Sequence, residues 1–174
     1  MTLRFEQPAY HHETAFIAAL RDFERAGEWV ADEYYRQKRD FCAFVDALRM
    51  AETHPRPHHV PESFFWLFDD DTWVGAVSLR HELDEVLAEF GGHISYEVRP
   101  SLRRRGFGLM LCRFILRQAQ QRGMSAVLIT CDEDNIGSQK IIEACGGVLQ
   151  DVHASVWYKR PVRRYWITLT SGAS

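Results

Sequence analysis

Apolar residues recur at helical spacing in four segments of the chain. The first follows a short strand predicted in LRFEQPA and contains Phe16, Ile17, Leu20 and Phe23. The second, over about 32–52, is strongly charged and carries its apolar residues at roughly helical intervals. The third covers 106–122 and ends at Gly123, and the fourth covers 135–145 before two glycines. We therefore predict four helices.

The remaining apolar runs have the length and composition of strands. The segments 64–68 and 72–79 flank an aspartate cluster and predict a hairpin. HISYEVRP predicts a strand that Pro100 ends, SAVLITC predicts a strand buried on both faces, and VLQDVHASVWYKR with RRYWITL predicts a closing antiparallel pair. In the last of these, Tyr165 and Ile167 share one face, and Arg164 and Trp166 share the other.

Helices and strands alternate from residue 93 to residue 145, which favours an α/β fold with a parallel or mixed sheet and helices on both faces. THPRPHHVPES contains three prolines and predicts a loop, and HELDEVLAEFGG predicts a connector with a turn or two of helix. A length of 174 residues with 46% hydrophobic residues predicts a single domain over 1–174.

Composition excludes several functional classes. A formal net charge of −3 gives no global attraction to nucleic acid or to an anionic membrane. The four cysteines, Cys42, Cys112, Cys131 and Cys145, are spaced singly, so we predict reduced thiols and neither a zinc ribbon nor a disulfide scaffold. The sequence has no apolar segment typical of a signal peptide or a membrane span, so we predict a cytoplasmic protein.

The stretch LRRRGFGLM, from Leu102 to Met110, places three arginines beside two glycines at the start of the third helix. Glycines in a strand-to-helix turn let a ligand approach the backbone, and the free amides of the helix start attract anions. The spacing lacks the third glycine of a dinucleotide fingerprint and the Gly-Lys-Ser/Thr ending of a P-loop. The alternative is a solvated charge run before a turn.

Residues 96–146 resemble the GNAT superfamily of acyl-CoA-dependent N-acetyltransferases. The family pattern of a strand ending in Val-x-Pro, followed by Q/R-x-x-G-x-G/A, is matched by Val98, Pro100, Arg103, Gly106 and Gly108. A second family segment, N-x-x-A/S after a strand, is matched by Asn135 and Ser138. Two matching segments in the right order and spacing are more specific than either segment alone.

The resemblance implies a GNAT-like mixed central sheet, with helices on both faces, in which the parallel strands ending at Val98 and Cys131 splay apart around an acyl-pantetheine arm. It also implies acetyl-CoA as the acyl donor. The backbone of Tyr96, Glu97 and Val98 is expected to bind the pantetheine, the pyrophosphate is expected on the loop and helix start, and Asn135 with Ser138 is expected on the far side of the cofactor. The loop and helix start comprise Arg103, Arg104, Arg105, Gly106, Phe107 and Gly108.

The chain departs from the family pattern at the catalytic acid. Ile142 stands at the position of the usual tyrosine, and Gly147 replaces a common phenylalanine. Tyr96, His93 and Glu82 are our candidate catalytic residues, with Asp84 beside Glu82 as a further carboxylate. Alternation along the strand puts Glu97 on the opposite face from Tyr96, where its side chain is free to serve the sheet instead of the chemistry.

The function predicted from these features is transfer of an acetyl group from acetyl-CoA directly to a primary amine of a small-molecule or peptide acceptor. A catalytically silent acyl-CoA sensor and a nucleic-acid-binding module that uses the arginines are the alternatives. The adjacent histidines His11 and His12, and likewise His58 and His59, lack further ligands at metal spacing, so we assign no metal. We predict neither a nucleic-acid nor a membrane partner, and a homodimer is left open.

Overall fold

Helices and strands follow one another in the order that the sequence indicates. The computed structural model of the chain describes residues 2–28, 40–154 and 160–169. Its α-helices, numbered among these residues, are α1 Glu13–Arg25, α2 Phe41–Met50, α3 Phe107–Gln121 and α4 Ile136–Ala144. Its strands are β1 Leu3–Glu6, β2 Glu62–Asp69, β3 Thr72–Arg80, β4 Ile94–Val98, β5 Ala126–Asp132, β6 Val148–His153 and β7 Val162–Thr168.

The predicted elements are confirmed wherever the structure describes them. The predicted second helix begins at about residue 32, but positions 32–39 and the end of the predicted sixth strand, 155–159, lie outside the described residues. The predicted connector holds a π-helical turn, Leu87–Gly91. None of the described helices combines the length and apolar character needed to cross a bilayer.

Local capping explains where two of the helices begin. The Asp40 side chain accepts a hydrogen bond from the Ala43 amide at 3.1 Å, and the Asn135 side chain accepts one from the Ser138 amide at 3.0 Å. Each bond satisfies an amide that the first helical turn leaves without an acceptor. Asn135, expected to contact a cofactor, is therefore also the residue that starts α4.

The first sheet has the order β1-β2-β3-β4 and carries a separate apolar core on each face. On one face, α1 and α2 bury Phe16, Phe23 and Phe44 against the β2 ring Trp66. On the other face, α3 packs Leu111 and Ile115 against residues that include Leu67, Val77 and Leu79. Helices on both faces are thus confirmed. Alternation along β2 and β3 assigns each side chain to one of the two cores.

The second sheet has the order β5-β7-β6, and the predicted antiparallel closing pair is confirmed. Tyr165 and Ile167 are buried on one face of β7, as predicted, while Trp166 is partly exposed on the other. The expectation of a mixed central sheet with splayed parallel strands was wrong for the described residues, because every strand pairing among them is antiparallel. β4 ends the first sheet and β5 begins the second, so the two do not form a ladder.

Backbone hydrogen bonding joins the two sheets at the start of β4. The His93 amide donates to the Leu128 carbonyl at 2.7 Å, and the Leu128 amide donates to His93 Nδ1 at 2.8 Å. The preceding residue must be glycine, because Gly92 has φ of +63° and a Cβ there would lie 2.6 Å from the Leu128 carbonyl oxygen. Beyond this junction a cavity separates β4 from β5, which is why the helical crossover between them does not yield a continuous parallel sheet.

Candidate active site

The start of α3 presents backbone amides without acceptors. Gly106 is the N-cap residue, has φ of +87°, and brings no side chain to cap the helix. The first helical bond runs from Met110 to Gly106 at 3.1 Å, so the amides of Phe107, Gly108 and Leu109 find no acceptor in the described part of the chain. Arg104 also has positive φ, at 65°. The loop therefore bends sharply and aims the helix start outward, as an anion site requires.

A cavity of about 390 Å³ opens in front of this helix start, and we name it the α3 cavity. It includes most of the residues predicted to bind a cofactor: Tyr96, Glu97, Val98, Arg103, Arg104, Phe107, Gly108, Asn135 and Ser138. Arg105 and Gly106 belong to the loop but do not line the cavity. Gly108 contributes close helix packing, since a Cβ there would lie 2.7 Å from Ile141 Cδ1.

Arg103 is paired with a carboxylate that no motif in the sequence indicates. Its two terminal nitrogens donate to Glu28 Oε1 and Oε2, both at 2.6 Å, and its Nε donates to the Val98 carbonyl at 3.0 Å. Hydrogen bonding from Arg103 holds the pKa of Glu28 below its ordinary value. Glu28 also lines the α3 cavity. It lies 75 positions from Arg103, and no local pattern predicts a contact over such a separation.

A second cavity, of about 320 Å³, lies between β4 and β5, and we name it the interstrand cavity. Its walls include Ser95 and Tyr96 on one side and Thr130 and Cys131 on the other. The Tyr96 hydroxyl and Ser138 Oγ are 2.6 Å apart. Burial raises the pKa of Tyr96, so this phenol stays protonated and able to donate a hydrogen bond.

A third cavity, of about 480 Å³, lies on the face of the first sheet that carries α1 and α2, and we name it the sheet-face cavity. It shares Tyr96 and Glu97 with the α3 cavity, and Tyr96 lines all three cavities. Burial raises the pKa of Glu97 to about 7, although Arg103 acts to lower it. A carboxyl group with this pKa exchanges protons near neutral pH, which suits acid-base catalysis.

The other two candidate catalytic residues lie elsewhere. His93 is buried at the junction between the sheets, where its Nδ1 accepts the Leu128 amide. Burial, with Arg80 nearby, lowers the pKa of His93 to about 4, so the ring is neutral at pH 7. Glu82 is exposed after the end of β3, and neither it nor His93 lines any of the three cavities. The Asp84 side chain accepts the Leu87 amide at 2.8 Å in the connector.

Packing explains both departures from the family pattern. Ile142 is completely buried in the core below α4, so the chain fills this position with an apolar side chain. A Cβ at Gly147 would lie 2.5 Å from Ile142 Cγ2 and 2.9 Å from the Ile142 carbonyl, which leaves no room for a phenylalanine. A side chain at position 147 would therefore collide with both the side chain and the backbone of Ile142.

A cluster of potential metal ligands near the amino end is explained by hydrogen bonding. Glu6, His11 and His12 bring their ligand atoms within 4.8 Å of one another. The Ala9 amide donates to His12 Nδ1 at 3.2 Å, which leaves the proton of a neutral ring on Nε2, 2.8 Å from Glu6 Oε2. His12 is therefore a donor to Glu6 and a poor metal ligand in this tautomer, and we assign no metal.

The three arginines that the structure describes near the carboxyl end are paired with acidic residues. Arg160, Arg163 and Arg164 form ion pairs with Asp134, Glu133 and Asp151, respectively. These carboxylates neutralise the charges that a nucleic-acid-binding surface would need to present to phosphates. The C-terminal arginines therefore do not support the nucleic-acid alternative.

Comparison with solved structures finds this fold in bacterial acetyltransferases. An acetyltransferase from Salmonella typhimurium that modifies the N-terminal serine of ribosomal protein L7/L12 matches with a TM-score of 0.70 at 14% identity, over 98% of this chain and 96% of that one. RimL, a ribosomal L7/L12 α-N-protein acetyltransferase in complex with coenzyme A, matches with a TM-score of 0.75 at 14% identity and the same coverage.

A further match is yncA, a putative acetyltransferase from Salmonella typhimurium with its cofactor acetyl-CoA. It has a TM-score of 0.64 and 14% identity over 99% of this chain and 96% of that one. No curated protein sequence matches the chain. The sequence profile of the GNAT family of acetyltransferases matches residues 6–146. This match extends well beyond the two motifs, and the chain belongs to the GNAT acetyltransferase family.

Proposed function

We propose that the chain transfers the acetyl group of acetyl-CoA directly to a primary amine that enters through the sheet-face cavity. The single observation that carries this proposal is the meeting of three cavities at Tyr96, with Glu97 between the first and the third. A donor that fills two cavities and an acceptor that fills the other would react where all three join.

The α3 cavity fits a diphosphate. The amides of Phe107, Gly108 and Leu109 are available as donors, and Arg104 adds positive charge. Arg103 contributes when a phosphate group replaces the Glu28 carboxylate on its guanidinium. Backbone amides at a helix start bind phosphate groups without a special side chain. Ser138, Asn135 and the backbone of β4 extend from this site into the interstrand cavity, where a pantetheine arm would lie between β4 and β5.

Bound acetyl-CoA supplies the thioester from which the acetyl group is taken. An alkylammonium with a pKa near ~10.4 must lose a proton before its nitrogen can attack. Glu97 accepts this proton, since its own pKa of about 7 leaves a large fraction ionised at neutral pH. The new N–C bond forms as the C–S bond breaks.

Tyr96 and Ser138 serve the departing sulfur. Their oxygens are 2.6 Å apart, so a proton given up by one hydroxyl can be replaced through the other. This pair takes the role of the family's usual tyrosine, whose position is occupied by Ile142 in this chain. His93 and Glu82 do not enter this mechanism, because neither lines the cavities.

Acetyl-CoA consumption over a panel of primary amines tests the proposal. We expect release of free coenzyme A thiol in step with an acetylated amine identified by mass spectrometry. Calorimetry should detect coenzyme A binding in the same preparation. Binding without thiol release from any amine would favour the silent acyl-CoA sensor, and absence of binding would contradict the α3 cavity as the diphosphate site.

A further inference from the structure

The floor of the sheet-face cavity has aromatic rings on β2 and small side chains on β3. Two cross-strand rows form it, and each runs from an aromatic ring on β2 through a small side chain on β3 to β4. The rows are Phe64, Ser78 and Ser95, followed by Trp66, Ala76 and Glu97. Residues paired across strands share a face, so the rings form a wall beside a low floor.

The wall is rigid and apolar. The ring of Trp66 stacks on Phe16 of α1 with centroids 5.0 Å apart and planes 7° from parallel. Both rings are only 2% exposed. Phe64 is half-buried and stands at the side of the floor, and Leu48 of α2 also lines the cavity. Buried ring clusters hold their geometry, so the slot, by which we mean the space in the sheet-face cavity beside these rings, exists before a ligand enters.

The charged groups at the two ends of the slot differ in whether they are free to bind a ligand. At one end Glu97 is half-buried with a pKa of about 7. At the other end Arg80 Nε lies 3.5 Å from Glu62 Oε1, and Arg80 also donates to the carbonyls of Gly91 and Gly92. The cationic group of a ligand therefore belongs at Glu97, with its apolar part directed along the floor.

The spacing of the rows also limits the distance between the ring and the amine of an acceptor. Ser78 lies two residues along β3 from Ala76, which is roughly 7 Å. A ring placed over Ser78 and against Phe64 is thus within reach of an amine at Glu97 through two or three carbon atoms. A longer polyamine would carry its second charge past the apolar wall, where no described carboxylate other than the paired Glu62 lines the cavity.

We propose that the acceptor is a small primary amine joined through a short carbon chain to a flat aromatic ring. Its nitrogen lies at Glu97, and its ring lies over Ala76 and Ser78 against Phe64. This inference rests on the proposed acetyl transfer, and it assigns Phe64, Ala76 and Ser78 as specificity-determining residues.

The test measures coenzyme A thiol release at about pH 8 with 2-phenylethylamine, n-butylamine, spermidine and a tetrapeptide that begins with serine. Burial of the ring should make kcat/KM for 2-phenylethylamine at least about tenfold higher than for n-butylamine. A preference for butylamine, spermidine or the peptide would overturn the inference and leave acetyl transfer standing. No thiol release with any amine would overturn both.

Variants of two neighbouring phenylalanines locate the ring. Phe64→Ala removes the half-buried ring of the wall, against which the ligand ring is placed, so the ratio of kcat/KM for phenylethylamine to that for butylamine should fall toward one. Phe65→Ala is the matched control, because Phe65 lies on the opposite face of β2 and packs against Phe114 at 5.1 Å. It should leave the ratio unchanged. An unchanged ratio in Phe64→Ala, with coenzyme A binding intact by calorimetry, would contradict the placement of the ring.

Discussion

At the scale of single residues, two adjacent side chains of β4 divide the proposed chemistry. Alternation predicts that Tyr96 and Glu97 point to opposite faces, and the sequence therefore assigned Glu97 to the sheet and only its backbone to the cofactor. In the structure Glu97 reaches the cavity on the α1 and α2 face, and Tyr96 contacts Ser138 on the other side. Because β4 is the edge strand of the first sheet, its residues line the cavities proposed for both substrates.

Replacement of Glu97 by glutamine should remove the proposed base without a change of shape. We expect kcat to fall by about 100-fold or more, because general-base catalysis typically contributes that much. In the wild-type protein kcat/KM should rise with pH through about 7, as the Glu97 carboxyl loses its proton. The rise near pH 7 should be absent in Glu97→Gln, and calorimetry should give the same affinity for coenzyme A. A variant that retains the wild-type pH profile would refute this role.

Glu28 holds the arginine that a diphosphate would use. Because the pair with Arg103 is bidentate but about 40% exposed, breaking it costs little, and a phosphate group competes with the carboxylate for the same donors. Glu28→Gln should therefore bind coenzyme A more tightly, by up to about fivefold in Kd. Glu52→Gln, which loses a similarly exposed pair with Arg122, is the control and should leave Kd unchanged. Weaker binding in Glu28→Gln would mean that Glu28 itself supports the cofactor.

At the scale of elements, α3 connects the motif to the site. Its apolar spacing, its start near residue 106 and its end before Gly123 are evident in the sequence, and the structure confirms all three. The residues that oppose its amino end, Asn135 and Ser138, come from α4. Only the family motif pointed to these two residues as cofactor contacts. Local pattern alone would identify Asn135 as a helix cap, and such caps are common in helices of any function.

Substitutions at the two glycines that flank α3 allow the effect on stability to be measured apart from the effect on anion binding. Gly106 and Gly123 both have positive φ, +87° and +79°, and a Cβ at either would meet no atom within 4 Å. Alanine at each position should therefore cost roughly 1 kcal/mol of stability through backbone strain alone. Only Gly106→Ala should weaken coenzyme A binding, by about tenfold, because it disturbs the amides at the helix start. Thermal unfolding and calorimetry measure the two effects, and equal losses of affinity would contradict the assignment.

At the scale of the whole molecule, the junction at His93 connects the two sheets and thus sets the opening between β4 and β5. The sequence made His93 a candidate base because it lies on the same strand as Tyr96. In the structure its ring accepts a hydrogen bond from the Leu128 amide, a contact between residues 35 positions apart. The physical reason for the difference is tertiary: a neutral buried imidazole is a good acceptor for an amide that would otherwise be buried unpaired.

His93 should make the fold sensitive to acid. Its pKa is about 4 in the folded chain and near ~6.5 when unfolded, so the unfolded chain binds the extra proton as pH falls. The stabilisation is complete above pH ~6.5 and is lost toward pH 4, with an upper limit on the order of 3 kcal/mol. Denaturant unfolding should show a smaller loss over this window in His93→Gln than in the wild type. His59→Gln, at an exposed loop position, should behave like the wild type.

The sequence by itself determined the order and approximate bounds of the described elements, the helices on both faces and the loop that binds the anion in our proposal. These follow from local properties: apolar spacing, proline and glycine positions and helix caps act over a few residues. Only the tertiary structure decided that the strand pairings are antiparallel, that Glu28 holds Arg103, that Glu97 faces a cavity and that His93 joins the sheets. Each of these depends on contacts between distant segments and on burial, which alters the pKa of a side chain without any change in the residues beside it.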